Sequence, residues 1–166
     1  MTIPQSVPLP LSFELPEGWR PAEQAGGAMF VAVHPESANG FTANITLSEQ
    51  DRTDAATLPE IADEALHRLE SVAVDGVKVE HRSAVGSPEA PGFTQVVRFT
   101  TTATGELVQC QVLMSFVDTG DAGDAGAGSR QVVVEAALTA TPEQLKALIQ
   151  DFERFVATIR VDDAGR

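Results

Sequence analysis

Glu64-Ala-Leu-His67 places a carboxylate and an imidazole three residues apart, on one face of any helix they share. Glu60 lies one turn earlier on that face. Carboxylate-bridged di-iron centres use such Glu-x-x-His pairs in duplicate, projecting inward from facing helices. Here the motif occurs once, among polar neighbours, and Glu64 can instead pair with Arg68 at i,i+4. The preferred reading is a solvated helix face without metal. His34 and His81 complete the three histidines of the chain. Cys110, the one cysteine, falls mid-strand on an apolar face. A reactive thiol needs a nearby cation or helix N-terminus, and its sequence neighbours supply neither. His81 could make it a Cys–His nucleophile only if the tertiary fold brought the two into contact. Asp118, Asp121 and Asp124 recur at every third residue, whereas an EF-hand calcium loop places acids at alternate positions and ends on a distant Glu. Glycine-rich phosphate loops, a Gly-x-Ser-x-Gly elbow and a His-Glu-x-x-His motif do not occur. The expectation is a chain that binds rather than catalyses, with no cofactor.

Composition narrows the partners. The 166 residues, 43% hydrophobic and 21% charged, suit one domain over 1–166, with a packed core over about 7–161. A formal charge of −13 with scattered Lys and Arg excludes a phosphate-backbone footprint, so nucleic acid is not expected. Anionic lipid, which attracts polybasic segments, is disfavoured for the same reason. No run of about 20 apolar residues could span a bilayer. One cysteine allows no internal disulfide, and the first residues lack the basic and apolar regions of a secretory signal, so the cytoplasm is the expected compartment.

The elements that must position these residues follow from periodicity. Leu11, Phe13 and Leu15 alternate as a first strand that Pro16-Glu-Gly18 ends, with Trp19 laid over the sheet edge. Met29–His34 and Phe41–Ser48 read as hairpin arms joined through Asn39-Gly40. In the second arm Phe41, Ala43, Ile45 and Leu47 share the buried side, opposite Thr42, Asn44, Thr46 and Ser48. Thr57-Leu-Pro-Glu60 has capping-box spacing and opens a helix whose stripe runs from Leu58 to Val72, with Gly76 just past its end. Val77–Val85, Phe93–Thr102 and Leu107–Val117 form a meander. The Gly/Ala/Asp-rich loop 118–130 is expected to be mobile, and Val132–Leu138 makes a last strand. Thr141-Pro-Glu-Gln144 caps a second helix with the stripe Leu145, Leu148, Ile149, Phe152, Phe155, Val156 and Ile159. The fold class is α+β: a central antiparallel sheet of about six to seven strands with two main helices packed on it.

In that order of elements the chain resembles the PsbP/Mog-like superfamily of α-β-α sandwiches, and within it actinobacterial relatives of the LpqN lipoproteins and the DcrB-type domain. The residues that carry the likeness are Phe13-Glu-Leu-Pro16-Glu-Gly-Trp19, Gly40-Phe-Thr-Ala-Asn44-Ile-Thr and the closing helix with Phe152, Phe155 and Ile159-Arg160. These motifs are structural. The resemblance implies a non-enzymatic role, since members include extrinsic photosystem subunits, Ran-binding proteins, envelope lipoproteins and adaptor chaperones for secreted toxins. A signal peptide and lipobox cysteine of the LpqN type are absent from this sequence.

Two functions compete. The first is an adaptor that holds a partner polypeptide on the outward side of Thr42, Asn44 and Thr46, bordered by Trp19 and Phe41; ordinary solvent-facing strand residues are the bland alternative. The second is a carrier of a small hydrophobic ligand between sheet and helix, suggested by Met114, Phe116, Phe152 and Phe155, which otherwise simply fill a core. A homodimer through an exposed strand edge is compatible with either.

Overall fold

The computed structural model describes residues 11–23, 28–35, 41–88, 90–118 and 130–161. The expected Asn39-Gly40 turn, the start of the core near residue 7, the loop between 118 and 130 with Asp121 and Asp124, and the final tail lie outside these residues.

Seven strands form one antiparallel sheet in the order β2-β3-β4-β8-β7-β6-β5. They are β2 (Arg20–Ala22), β3 (Phe30–Val33), β4 (Asn44–Arg52), β5 (Val77–Gly86), β6 (Pro91–Thr101), β7 (Gly105–Asp118) and β8 (Arg130–Ala140). A separate ribbon joins β1 (Leu11–Ser12) to β9 (Arg160–Val161). The hairpin of β3 and β4 forms with Phe30 opposite Leu47 and Val33 opposite Asn44. Helix α1 (Leu58–Glu70) then carries the chain from β4 to the far edge. Its 13 residues rise about 20 Å at 1.5 Å each, close to the four strand spacings of about 4.8 Å that separate β4 from β5. The meander β5–β8 returns across that gap until β8 closes against β4, with Ile45 opposite Leu138.

Both helices start as their sequences require. Thr57 and Thr141 accept hydrogen bonds from the third helical amides, Glu60 and Gln144 reach back to the cap amides, and Pro stands at the start of each helix. The first helix stops six residues before Gly76. Ser71 caps it, and Asp75 and Gly76, at φ of 59° and 82°, make the turn into β5. Val72 therefore leaves the apolar stripe and is 57% exposed. The first strand is also shorter than its alternation predicts. Leu11 and Ser12 pair with Val161 and Arg160, whereas Phe13 turns its ring onto Phe30 and Phe155 at 4.8 and 5.4 Å. The strand β2 had no alternation to announce it; Pro21 is tolerated there because β2 is an edge.

The helices take opposite faces. Helix α2 (Pro142–Thr158) buries Leu148, Phe152 and Phe155 with Trp19, Ile45, Leu47, Val134, Ala136 and Leu138. Helix α1 buries Leu58, Ile61 and Ala62 against Phe93, Leu113 and Val133. They are also offset, because α2 packs on β7 and β8 while α1 packs chiefly on β6. Each face thus keeps one part of the sheet without a helix over it. Among the described residues no helix is long and apolar enough to cross a membrane.

Candidate functional site

The offset leaves two clefts of opposite character. The first, of about 400 Å³, opens beside α1 and is lined by Thr46, Ser48, Gln50, Arg68, Gln111 and Glu135, among others. Odd-numbered residues of β6, β7 and β8 face this side, and several are polar yet buried. Gln95 donates from Nε2 to the Ala62 carbonyl at 3.0 Å and to Gln111 Oε1 at 2.6 Å. Gln111 donates onward to Gln109 Oε1 at 2.6 Å, and Gln109 to Thr139 Oγ1 at 2.8 Å. Because the Ala62 carbonyl can only accept, it fixes the direction of every amide in the row. The row joins α1 and the sheet by a polar seam rather than by apolar packing alone, with Gln95 Oε1 buried and without a partner.

Glu135 lies on the same side, 8% exposed, with Arg68 Nη2 3.0 Å from its Oε1. Burial pushes its carboxyl above the ordinary carboxylate range, and the Arg68 guanidinium draws it partly back. Arg52 grips Glu64 through two hydrogen bonds of 2.7 and 2.8 Å and Asp54 through two of 3.1 and 2.8 Å. That fork holds both carboxyls below their usual values. Glu64 accordingly pairs with Arg52 and not with Arg68, whose partner is Glu135. His67 turns outward to Glu70 at 3.1 Å. The Glu-x-x-His pair is split between two separate partners, Arg52 and Glu70, and does not converge on one point.

The second cleft, of about 470 Å³, lies on the opposite face between α2 and the strands β5 to β7. Val96, Cys110, Val112, Ile149, Phe152 and Val156 give it an apolar wall, and His81, Val85 and Glu153 also line it. His81 and Cys110 thus share a cleft, but Val96 stands between them, opposite His81 on β5 and opposite Cys110 on β7. Two strand spacings put them about 10 Å apart, far beyond a hydrogen bond. The thiol is pushed up to about 11, first by burial and then by the charge of Glu153. It stays protonated near neutrality and packs as a small hydrophobe.

The five residues of the expected partner surface differ in exposure, with Trp19 buried and Phe41, Thr42, Asn44 and Thr46 half-buried. Trp19 is 6% exposed, packed in the α2 cluster with its ring edge-on to His34 at 5.1 Å and its Nε1 donating to Asp151 Oδ2 at 3.0 Å. Its burial corrects the expectation that it borders a surface. Phe41 is half-buried and accepts at its carbonyl from Gln144 Nε2 at 2.7 Å. Asn44 bonds the Thr42 carbonyl at 3.3 Å, and Thr46 lines the polar cleft. Of the four residues proposed for a ligand pocket, Phe152 reaches the apolar cleft, while Phe155 is fully buried in the core. Glu135 and the glutamine row were missed. The polar alternation of Gln109, Gln111 and Ser115 announced the row, whereas a single Glu among Val134, Ala136 and Leu138 announced nothing.

No known family profile matches the sequence, and no curated protein sequence does. Solved structures do match. LpqN of Mycobacterium tuberculosis, described as involved in cell envelope biogenesis, is 11% identical over 90% of this chain and 81% of its own, with a TM-score of 0.62. Cyanobacterial PsbP from Synechocystis sp. PCC 6803 is 11% identical over 98% of both chains, with a TM-score of 0.58. The chain has the PsbP/Mog-like fold. The Saccharomyces cerevisiae Ran-binding protein Mog1p also shares it, at 15% identity over 92% of this chain and 90% of its own, with a TM-score of 0.58. At these identities the likeness is one of PsbP/Mog-like architecture.

Proposed function

We propose that this chain is a non-catalytic binding domain that engages a polypeptide segment of another protein. The carrying observation is the position of the large apolar side chains exposed among the described residues. Val72, Val74, Val79 and Val85, between 37% and 57% exposed, all lie on or just before the edge strand β5. Val79 faces the α1 side and Val85 the α2 side of a strand paired only with β6, so what they share is the open edge itself, whose backbone groups can pair with a partner chain. The Ran-binding protein of the same fold supports a protein partner by analogy of architecture alone. Affinity capture of the tagged chain from its own cell lysate, at low and high salt, tests the reading. A stoichiometric polypeptide is the expected result; a partnerless protein at both salt concentrations overturns it.

The apolar cleft favours a second reading, a carrier of a small hydrophobic ligand. Its volume of about 470 Å³ falls in the range of small-molecule sites, which run from about 300 to 1,000 Å³. Native mass spectrometry of the purified protein decides it: a bound hydrophobic molecule lost on Val112→Phe supports the carrier, and a ligand-free mass refutes it.

A further inference from the structure

We propose that the straight half of β5, His81–Gly86, together with the apolar cleft beside it, is a strand-addition site for an extended peptide carrying a large apolar side chain and, two residues away on the same face, a basic one. The inference rests on the polypeptide-binding reading and locates it.

Strand β5 ends the sheet and pairs on one side only, with β6. Its register slips at a bulge between Val79 and His81, then runs without a break from His81 opposite Val96 to Gly86 opposite Pro91. Natural edges are blunted by bulges, charges or prolines, and the bulge serves that purpose for the first half of β5. The second half has no such guard on its cleft side. Arg82, the charge within it, is turned the other way: it bonds the Pro59 carbonyl at 3.1 Å and Asp63 at 3.0 Å, and lies 5.2 Å over the Phe93 ring. The first two contacts tie β5 to α1 and the third ties it to β6, and together they hold the edge in place before any peptide arrives, which lowers the entropy lost on binding.

Main-chain bonds to such an edge give affinity, and pockets for alternate side chains give selectivity. His81 and Val85 line the apolar cleft, so a peptide laid along β5 points every second side chain toward it. The charge of the occupant follows from Glu153. Its side chain lines the cleft and its charge reaches the Cys110 thiol inside. A basic residue two positions from the apolar anchor, on the same face of the peptide strand, meets that carboxylate. A second copy of the chain is disfavoured as occupant, because each carries −13.

The probe is an amidated nine-residue peptide with a central Leu, Lys at the other odd positions and Val at the even ones, so that Leu and Lys share one face, titrated into the full chain and followed by amide and methyl NMR. The expected result is shifts and slowed exchange at the His81–Gly86 amides, with methyl shifts at Val85, Ile149 and Val156. Val85→Lys should weaken binding about tenfold by charging the edge, and Glu153→Gln about threefold at low salt, the scale of one exposed ion pair. Thr46→Ala, on the opposite face, should change nothing. Replacing every Lys of the peptide by Glu should abolish binding. Shifts confined to the polar cleft, or the same shifts produced by raising protein concentration without peptide, overturn the proposal, the latter in favour of self-association. If the peptide gives no shifts while lysate capture still yields a stoichiometric polypeptide, the edge assignment fails and the binding function stands. If neither appears, both fail.

Discussion

The surroundings of Glu135 and Cys110 alter their chemistry, and in both burial is the first cause. For Glu135 the sign of its pH effect follows directly. An acid whose folded pKa is raised binds its proton more tightly in the native state, so it stabilises below the unfolded pKa and loses that contribution as pH rises through the folded value. Glu135→Gln should therefore gain stability relative to the parent as pH is raised from 4 to 7, read as the difference in urea midpoints. Glu64 and Asp54 act in the opposite sense, since Arg52 lowers both, and their contribution is lost on acidification. Being on the surface, that cluster is worth little in kcal/mol. Cys110 should resist a thiol reagent at pH 8 in the folded protein and react completely once urea unfolds it. Fast reaction in the native state would contradict a thiol buried and raised to about 11.

Among the elements, the two helices depend on their caps. Thr141 accepts from Gln144 N at 3.2 Å, and Gln144 bonds both the cap amide at 2.9 Å and the Phe41 carbonyl at 2.7 Å. Thr141→Ala should cost about 1 kcal/mol, a fall of roughly 2–4 °C in a chain of this size by differential scanning calorimetry. The turn into Trp19 depends on Gly18, which sits at φ +93° with His34 Nε2 only 3.2 Å from where a Cβ would stand. Gly18→Ala should cost on the order of 1–3 kcal/mol, since an L side chain is strained at that φ and must also displace the imidazole. An unchanged urea midpoint would show that the turn relaxes freely.

For the whole molecule, protection should follow the topology. Strands β7 and β8 are flanked on both sides and carry contacts to both core clusters, whereas β5 is an edge whose residues are mostly exposed. The amides of β7 and β8 should exchange at the rate of global unfolding, and those of β5 faster by local opening. Equal protection across the sheet would argue against β5 as an open edge. The same topology explains the two clefts: α1 and α2 lie over different strands, and what each leaves uncovered is polar on one side and apolar on the other.

The sequence alone determined the local structure. Thr57 and Thr141 with their partners three residues on set both helix starts, and the alternation of β4 assigned its buried side, because caps and period-2 patterns are interactions between near neighbours in the chain; β7 and β8, buried on both faces, have no such single side. It also carried enough of the PsbP/Mog-like order of elements to be recognised. It did not determine where α1 stops, since Leu69 and Val72 continue the spacing while only contact with the sheet decides which of them is buried. Nor could it place β8 between β4 and β7, pair Glu64 with Arg52, or part His81 from Cys110. Those outcomes join residues from separate strands and helices. The tertiary fold decides them, because they depend on which strand lies beside which once the core has closed.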